Sequence, residues 1–331
     1  MTTELPETPP IARQVPSERT FHGDTVTDEY SWLAEKENPE TIAYLEAENA
    51  WTAKATEHLL GLQQTVFDEI KRRTQETDLS VPSRKGGYWY YTRTEEGKQY
   101  GIQCRVPVTA GSGRDVPPLP ADGQPLPDEE VLLDGNELAQ GHDFFALGTF
   151  DVSPDGNWLA YSSDYSGDER YTVRIRNLAT GELLDDEIVA VGHGSAWSAD
   201  ASVLFYIRVD DAWRPYQVWR HVIGTPTTKD ELVYEDPDER FFVGVELTRS
   251  EQFLIVGSSS KITSEYRFLP ADAPLGEPTL IAARRDGVEY EVAHQGDRFV
   301  ILHNDGALDY ALATTSVSAP GEWRSLLPYE P

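Results

Sequence analysis

The sequence predicts a mainly β protein: a partial, open β-propeller of about five blades preceded by an N-terminal helical segment. Three observations predict it. The first is a meander between Phe150 and Leu184. Phe150 to Ser153 reads as one strand, Trp158 to Ser162 as a second, and Tyr171 to Asn177 as a third. Pro154-Asp155-Gly156 and Ser166-Gly167-Asp168 are the turns between them, since proline presets one dihedral and glycine accepts a positive φ. In the third strand Tyr171, Val173 and Ile175 share one face, opposite Thr172, Arg174 and Arg176. Ala179-Thr180-Gly181-Glu182 turns the chain again.

The second observation is recurrence. Asp155 has counterparts at Asp200, 45 residues on, at Glu251 after 51 more, and at Asp297 after another 46. Each stands in a turn before an apolar or aromatic strand. Upstream, Lys85-Gly86-Gly87 precedes YWYYTRT. A period near this length, with three or four strands per unit, is that of a propeller blade. A β-sandwich of loosely similar hairpins is the competing architecture; five repeats in phase favour the propeller. The third observation is a change of period, helical before about residue 75 and strand-like after it, which divides the chain into 1–75 and 76–331.

In order, Met1 to Pro16 is proline-rich and extended, and Asp28 to Leu33 is a compact aromatic anchor. Asn38-Pro39 opens a helix, because asparagine caps and proline suits the first helical position. Tyr44, Ala47, Trp51, Ala55 and Leu59 form one stripe. Gly61 allows a break. Leu62, Val66, Phe67 and Ile70 make a second amphipathic helix, ending in Lys71-Arg72-Arg73, whose charges suit the negative end of a helix dipole. The stripe needs a partner surface that the rest of the chain does not offer. The first blade begins near Val81. Ala110 to Asp128 is a loop excursion rich in Pro, Gly and Asp, and Val131 to Leu133 a returning strand. Asp134 to Leu147 has a brief helical tendency. The second blade opens at Phe150, the third spans about His193 to Tyr234, the fourth about Phe241 to Ile281, and the fifth starts at Val288. GEWRSLLPYEP reads as the link towards a sixth blade, so the ring is expected to stay open.

There are 57 acidic and 28 basic residues, a formal charge of -29. Such a field repels nucleic acid and anionic membranes and favours cationic ligands, although it also serves solubility or adaptation to salt. Cys104 is the single cysteine, which rules out an intrachain disulfide and argues against a cysteine metal site. A polar, acidic N-terminus and the lack of a long apolar run lead to the expectation of a soluble cytoplasmic protein.

With the elements placed, the chain resembles the N-terminal half of the prolyl oligopeptidase family, and among its members oligopeptidase B. The resemblance is carried by Asp28 to Leu33, Asn38-Pro39, Tyr44 to Asn49, Val81-Pro82, Tyr88 to Tyr91 and Glu96 to Tyr100. It continues in Leu133 to Asn136, Ser153 to Gly156, Gly167 to Glu169, Tyr216 to His221 and Ile301 to Asp305. The resemblance implies a serine peptidase in which an α/β-hydrolase domain carries Ser, Asp and His, and a seven-bladed propeller admits only short peptides. It also implies that the N-terminal helices pack on the hydrolase domain and that cleavage follows Arg or Lys. The sequence is expected to stop before the last two blades and to contain no hydrolase domain.

Accordingly no catalytic, cofactor-binding or metal-binding residue is assigned. Gly257-Ser258-Ser259-Ser260-Lys261 approaches the Gly-x-Ser-x-Gly nucleophile motif but ends in lysine, and no helix follows, so it reads as a polar turn. Gly192-His193-Gly194-Ser195 offers a serine beside a histidine but reads as a turn leading into a blade. His22, His58, His142, His193, His221, His294 and His303 are scattered without zinc spacing. Glu235 to Glu239 and Asp185-Asp186-Glu187 lack the alternating ligands of a calcium loop and read as solvated charges. The favoured function is the non-catalytic, access-controlling part of an oligopeptidase B-like peptidase acting on short basic peptides, with a C-terminal α/β-hydrolase domain as partner. The alternative is a stand-alone propeller that serves as a binding scaffold; it has no need of the paired helices.

Overall fold

The structure, a computed structural model, describes residues 8–108, 117 and 124–330, so most of the Ala110 excursion lies outside the described residues. The chain divides into two compact units, Met1–Gln75 and Glu76–Pro331.

The first unit opens with a hairpin that the sequence reading missed, β1 (Ser17–Phe21) on β2 (Asp24–Asp28). Its two-residue loop is His22-Gly23, both at positive φ, as a type I′ turn requires. Neither strand alternates apolar and polar residues, so the usual signal is absent. α1 (Pro39–Ala55) is capped by Asn38, whose Oδ1 accepts from Glu40 N at 2.9 Å. The aromatic anchor ties the extended N-terminal segment to this helix: Trp32 Nε1 donates to Arg13 O at 2.8 Å, and Thr41 Oγ1 donates to Trp32 O at 3.2 Å. The break after α1 falls at Thr56 to Leu59, where a short 3-10 turn forms; Gly61 lies inside α2 (Leu60–Arg73). The expected stripe is only half realised, since Tyr44 and Trp51 are half-buried while Ala47 and Ala55 are exposed. On α2, Leu62, Val66, Phe67 and Ile70 are all exposed.

The second unit is a series of antiparallel four-stranded meanders. The first blade is β3 (Ser83–Lys85), β4 (Tyr88–Arg93), β5 (Ile102–Pro107) and β6 (Glu130–Asp134). A short helix, α3 (Gly135–Leu138), follows. Then come β7 (Ala146–Val152), β8 (Trp158–Asp164), β9 (Tyr171–Asn177) and a long strand, β10 (Leu183–Trp197). The first part of β10 pairs with β9 and its last part with β11 (Val203–Val209), so it closes the second blade and opens the third. β12 (Pro215–Val222) and β13 (Glu231–Glu235) complete the third. The fourth is β14 (Phe242–Leu247), β15 (Phe253–Ser259), β16 (Ser264–Pro270) and β17 (Thr279–Ala282). The fifth is β18 (Tyr290–Gln295), β19 (Arg298–His303), β20 (Ala311–Ser316) and β21 (Ala319–Leu327).

Two expectations are corrected here. GEWRSLL belongs to β21, the outer strand of the fifth blade paired with β20, and is no link to another blade. Gly192 to Ser195 lies within β10 and is no turn; a Cβ at Gly192 would meet Val209 Cγ1 at 2.8 Å, so the glycine permits the close approach at this irregularity.

Apolar side chains pack in the seams between blades. The second strand of an interior blade faces a seam on each side, which is why β11 is a continuous apolar run. Leu204 and Tyr206 pack with Val173, Ile175 and Trp197 on one side, and Phe205 and Ile207 pack with Val245, Leu254 and Val256 on the other. Each such fully buried Leu, Ile or Phe contributes about 1.5–3 kcal/mol. Polar links cross the same seams. Arg105 on β5 pairs with Glu130 and donates to Gly156 O at 2.7 Å, while Arg220 on β12 pairs with Glu231 and donates to Gly276 O at 2.8 Å.

Three of the recurring turns share one device. Ser153 Oγ accepts from Trp158 N, Ser198 Oγ from Val203 N, and Thr248 Oγ1 from Phe253 N, each spanning five residues at 3.0–3.1 Å. Asp155 and Asp200 then accept from Asn157 N and Ser202 N. This explains the acidic residue at Asp155 and Asp200: each carboxylate satisfies a turn N–H group.

Candidate functional site: the cavity between the inner strands

The first strands of four blades converge on one cavity of about 700 Å³. Arg84 and Lys85 come from β3, Gly148 to Asp151 from β7, Gly194 and Ser195 from β10, and Glu246 to Arg249 with Glu251 from β14 and its turn. The lining is polar and carries both charges. A site of this kind suits peptide backbone and charged side chains more than an apolar ligand.

Asp151 is the node of its wall. Its Oδ1 lies 3.6 Å from Lys85 Nζ, its Oδ2 is 3.5 Å from Ser195 Oγ, and its carbonyl accepts from Trp197 Nε1 at 3.0 Å. Lys85 Nζ also donates to Val152 O at 2.5 Å. Three blades are thus tied together beside the cavity. Burial pushes the Asp151 carboxyl up to about 6, against the opposing pull of Lys85 and Ser195.

The residues weighed from sequence are dispersed. Ser195 faces Asp151, but the His193 ring packs at a tilt against Tyr171, with centroids 4.6 Å apart, and is not paired with that serine. Ser258 is fully buried in β15 and donates to Asp236 Oδ2 at 2.5 Å, so it is a strand residue in a packed network and not part of a turn. The acidic runs are likewise more engaged than expected. Asp236 is buried and accepts from Ser258, Tyr234 and Arg284; Asp186 accepts from Gly224 N at 2.6 Å and faces His221 Nε2 at 3.3 Å. His221 is fully buried between Asp186 and Asp230, with Nδ1 2.7 Å from Asp230 Oδ1. Among the described residues no group of three His, Cys, Asp or Glu is arranged to hold a metal ion. Cys104 is buried in β5, and burial pushes its thiol up to about 12, so it stays protonated at neutral pH.

One pair escaped sequence reasoning. Ser250 Oγ lies 2.8 Å from His294 Nδ1, a contact between turn and strand of different blades with no local signal. The other ring nitrogen is buried without a hydrogen-bond partner, and the ring packs edge-on against Phe253 and Phe299. A carboxylate to orient the base is missing from this pair, so it links blades and does not activate the serine.

Residues 9–331 match the family described as prolyl oligopeptidase, N-terminal beta-propeller domain. The chain belongs to the prolyl oligopeptidase family. Within that family it is similar to dipeptidyl aminopeptidase BI of Pseudoxanthomonas mexicana, at 38% identity over 96% of this chain and 45% of the relative. It is also similar to protease 2 of Moraxella lacunata, at 35% identity over 92% of this chain and 43% of the relative. The chain therefore spans less than half the length of these curated relatives. Its fold matches oligopeptidase B from Trypanosoma brucei with a TM-score of 0.84 at 30% identity, over 98% of this chain and 46% of that one. Oligopeptidase B from Leishmania major gives 0.85 at 26% identity, again over 98% and 46%. Residues that carry the sequence resemblance have structural work here. Asn136 Oδ1 accepts from Tyr100 N at 2.9 Å and its Nδ2 donates to Tyr100 O at 2.8 Å, which clamps Glu96 to Tyr100 to α3. Among the described residues, no helix is long and apolar enough to cross a membrane.

Proposed function

We propose that this chain is the non-catalytic part of an oligopeptidase B-like serine peptidase that cleaves short peptides after Arg or Lys. The observation that carries the reading is the polar cavity formed by the inner strands of four blades. A peptide reaching an active site beneath a propeller would pass such a cavity, and its width would limit the size of what enters. The catalytic serine, histidine and aspartate belong to an α/β-hydrolase domain, the partner of both units. The exposed apolar side chains of α2 support this, because leaving Leu62, Val66, Phe67 and Ile70 in water is unfavourable and packing on a second domain removes them from it. The acidic field of the chain favours basic peptides as they approach.

The test is an assay of the purified chain on Arg and Lys ester and amide substrates, together with a serine-reactive fluorophosphonate. Silence from the 331-residue chain, and activity when the same sequence is joined to an oligopeptidase B hydrolase domain, is the expected result. Turnover coupled to labelling of Ser195, Ser250 or Ser258 would overturn it.

A further inference from the structure

A second cavity, of about 320 Å³, lies on the face of the fourth blade that is turned towards the fifth. Two glycines make its floor. Gly244 on β14 stands opposite Gly257 on β15, and Gly257 stands opposite Tyr266 on β16. A Cβ at Gly257 would come within 2.7 Å of Tyr266 Cε1, so the absence of a side chain lets the ring lie across the strand as a wall. A Cβ at Gly244 would meet nothing within 4 Å: the space above it is empty. The wall is held from the fifth blade, where Tyr290 Oη accepts from Tyr266 N at 2.9 Å and the two rings meet edge-on at 5.2 Å. Among the residues that line this cavity, Glu246 is the one with a formal charge, and it also lines the central cavity.

We propose that this seam is a subsite for an arginine side chain of a peptide in the channel, with the guanidinium against Tyr266 and paired to Glu246. The proposal rests on the reading of the central cavity as a peptide path and names what that path selects. An aromatic face and a carboxylate, with no cation in the lining, are the recognition elements for a planar cation. The volume is at the lower end of the ~300–1,000 Å³ usual for small-ligand sites, enough for one side chain. Glu291 on β18 adds to the negative field: after desolvation it is the cause that raises the Glu246 carboxyl, and both carboxylates help burial push the Tyr266 hydroxyl up to about 12. A bound cation would relieve this repulsion.

The experiment titrates the full chain with N-acetyl-arginine amide and with its neutral citrulline counterpart, followed by NMR shifts of the Gly244, Gly257 and Tyr266 amides. Saturable binding of the arginine compound, at least tenfold tighter than citrulline, is expected. Gly244→Val places a branched side chain in the space where a Cβ would meet nothing within 4 Å, and should abolish binding while leaving the circular dichroism unchanged; Glu246→Gln should weaken it at least fivefold. No saturable shift, equal binding of citrulline, or binding that survives Gly244→Val overturns the subsite. If Gly244→Val fails to fold, Glu246→Gln decides by itself. None of these failures touches the division of labour tested above, whose readout is turnover with and without a hydrolase domain.

Discussion

Lys85 Nζ lies 3.6 Å from Asp151 Oδ1, across the seam between the first two blades and beside the central cavity. The pair does not bring Asp151 back to an ordinary carboxylate value: its folded pKa is about 6, above the unfolded value near 3.9. The unfolded chain therefore loses this proton first as pH rises, and stability falls between about pH 4 and pH 6, then levels off. The cost is on the order of 2–3 kcal/mol. Asp151→Asn removes that slope, so the variant should gain on wild type between pH 4 and pH 7 in urea denaturation. A constant difference across this range would contradict the assignment.

Asp164 carries the opposite sign. It is buried and accepts from Ser166 N at 2.7 Å, Glu169 N at 2.9 Å and Gly167 N at 3.0 Å, bonds that hold its carboxyl below the usual range against burial. Its stabilisation is present above the unfolded value and is lost as pH falls through the folded one. Asp164→Ala leaves three turn N–H groups without their acceptor and should cost about 2–4 kcal/mol, read by thermal or urea unfolding. Asp164→Asn, which keeps one oxygen, should cost less.

The hydroxyl turns offer a test of repetition. Ser153→Ala, Ser198→Ala and Thr248→Val each remove one acceptor from a backbone N–H. Each should cost about 1 kcal/mol. The sites lie in different blades, so pairs should add to within about 0.5 kcal/mol. Strong non-additivity would show that the turns are coupled through the seams.

The exposed side of α2 should make the isolated chain self-associate despite its charge. Phe67 and Ile70 are 59% and 61% exposed, and their replacement by serine removes apolar surface without emptying a core. Phe67→Ser with Ile70→Ser should shift sedimentation towards monomer and leave the melting of residues 76–331 unchanged. Association that persists in this variant would point instead to the edges and open faces of the sheets, which are templates for pairing.

Much of the fold was legible because its signals are local. The turns at Asp155, Asp200 and Glu251 repeat a backbone problem with one solution, a side-chain oxygen for stranded N–H groups. Asn38 announced α1 in the same way. Where the signal was not local, the reading failed. Ala319 to Leu327 carries little apolar alternation, since an outer strand buries few side chains, and only its pairing with β20 defines it. The His22-Gly23 hairpin has exposed strands and was invisible for the same reason.

What the sequence determined by itself is the paired helices, the blade period, the change from helix to sheet near residue 75, and the family, because each is written in short-range residue spacing. The convergence of Lys85, Asp151, Ser195 and Glu246 on one cavity was decided by the tertiary structure alone, as was the Ser250–His294 contact. These residues lie 44 to 161 positions apart, and no periodicity relates them. They meet because packing of apolar seams sets each blade against the next and brings the first strands together, a consequence of long-range burial that local propensity does not encode.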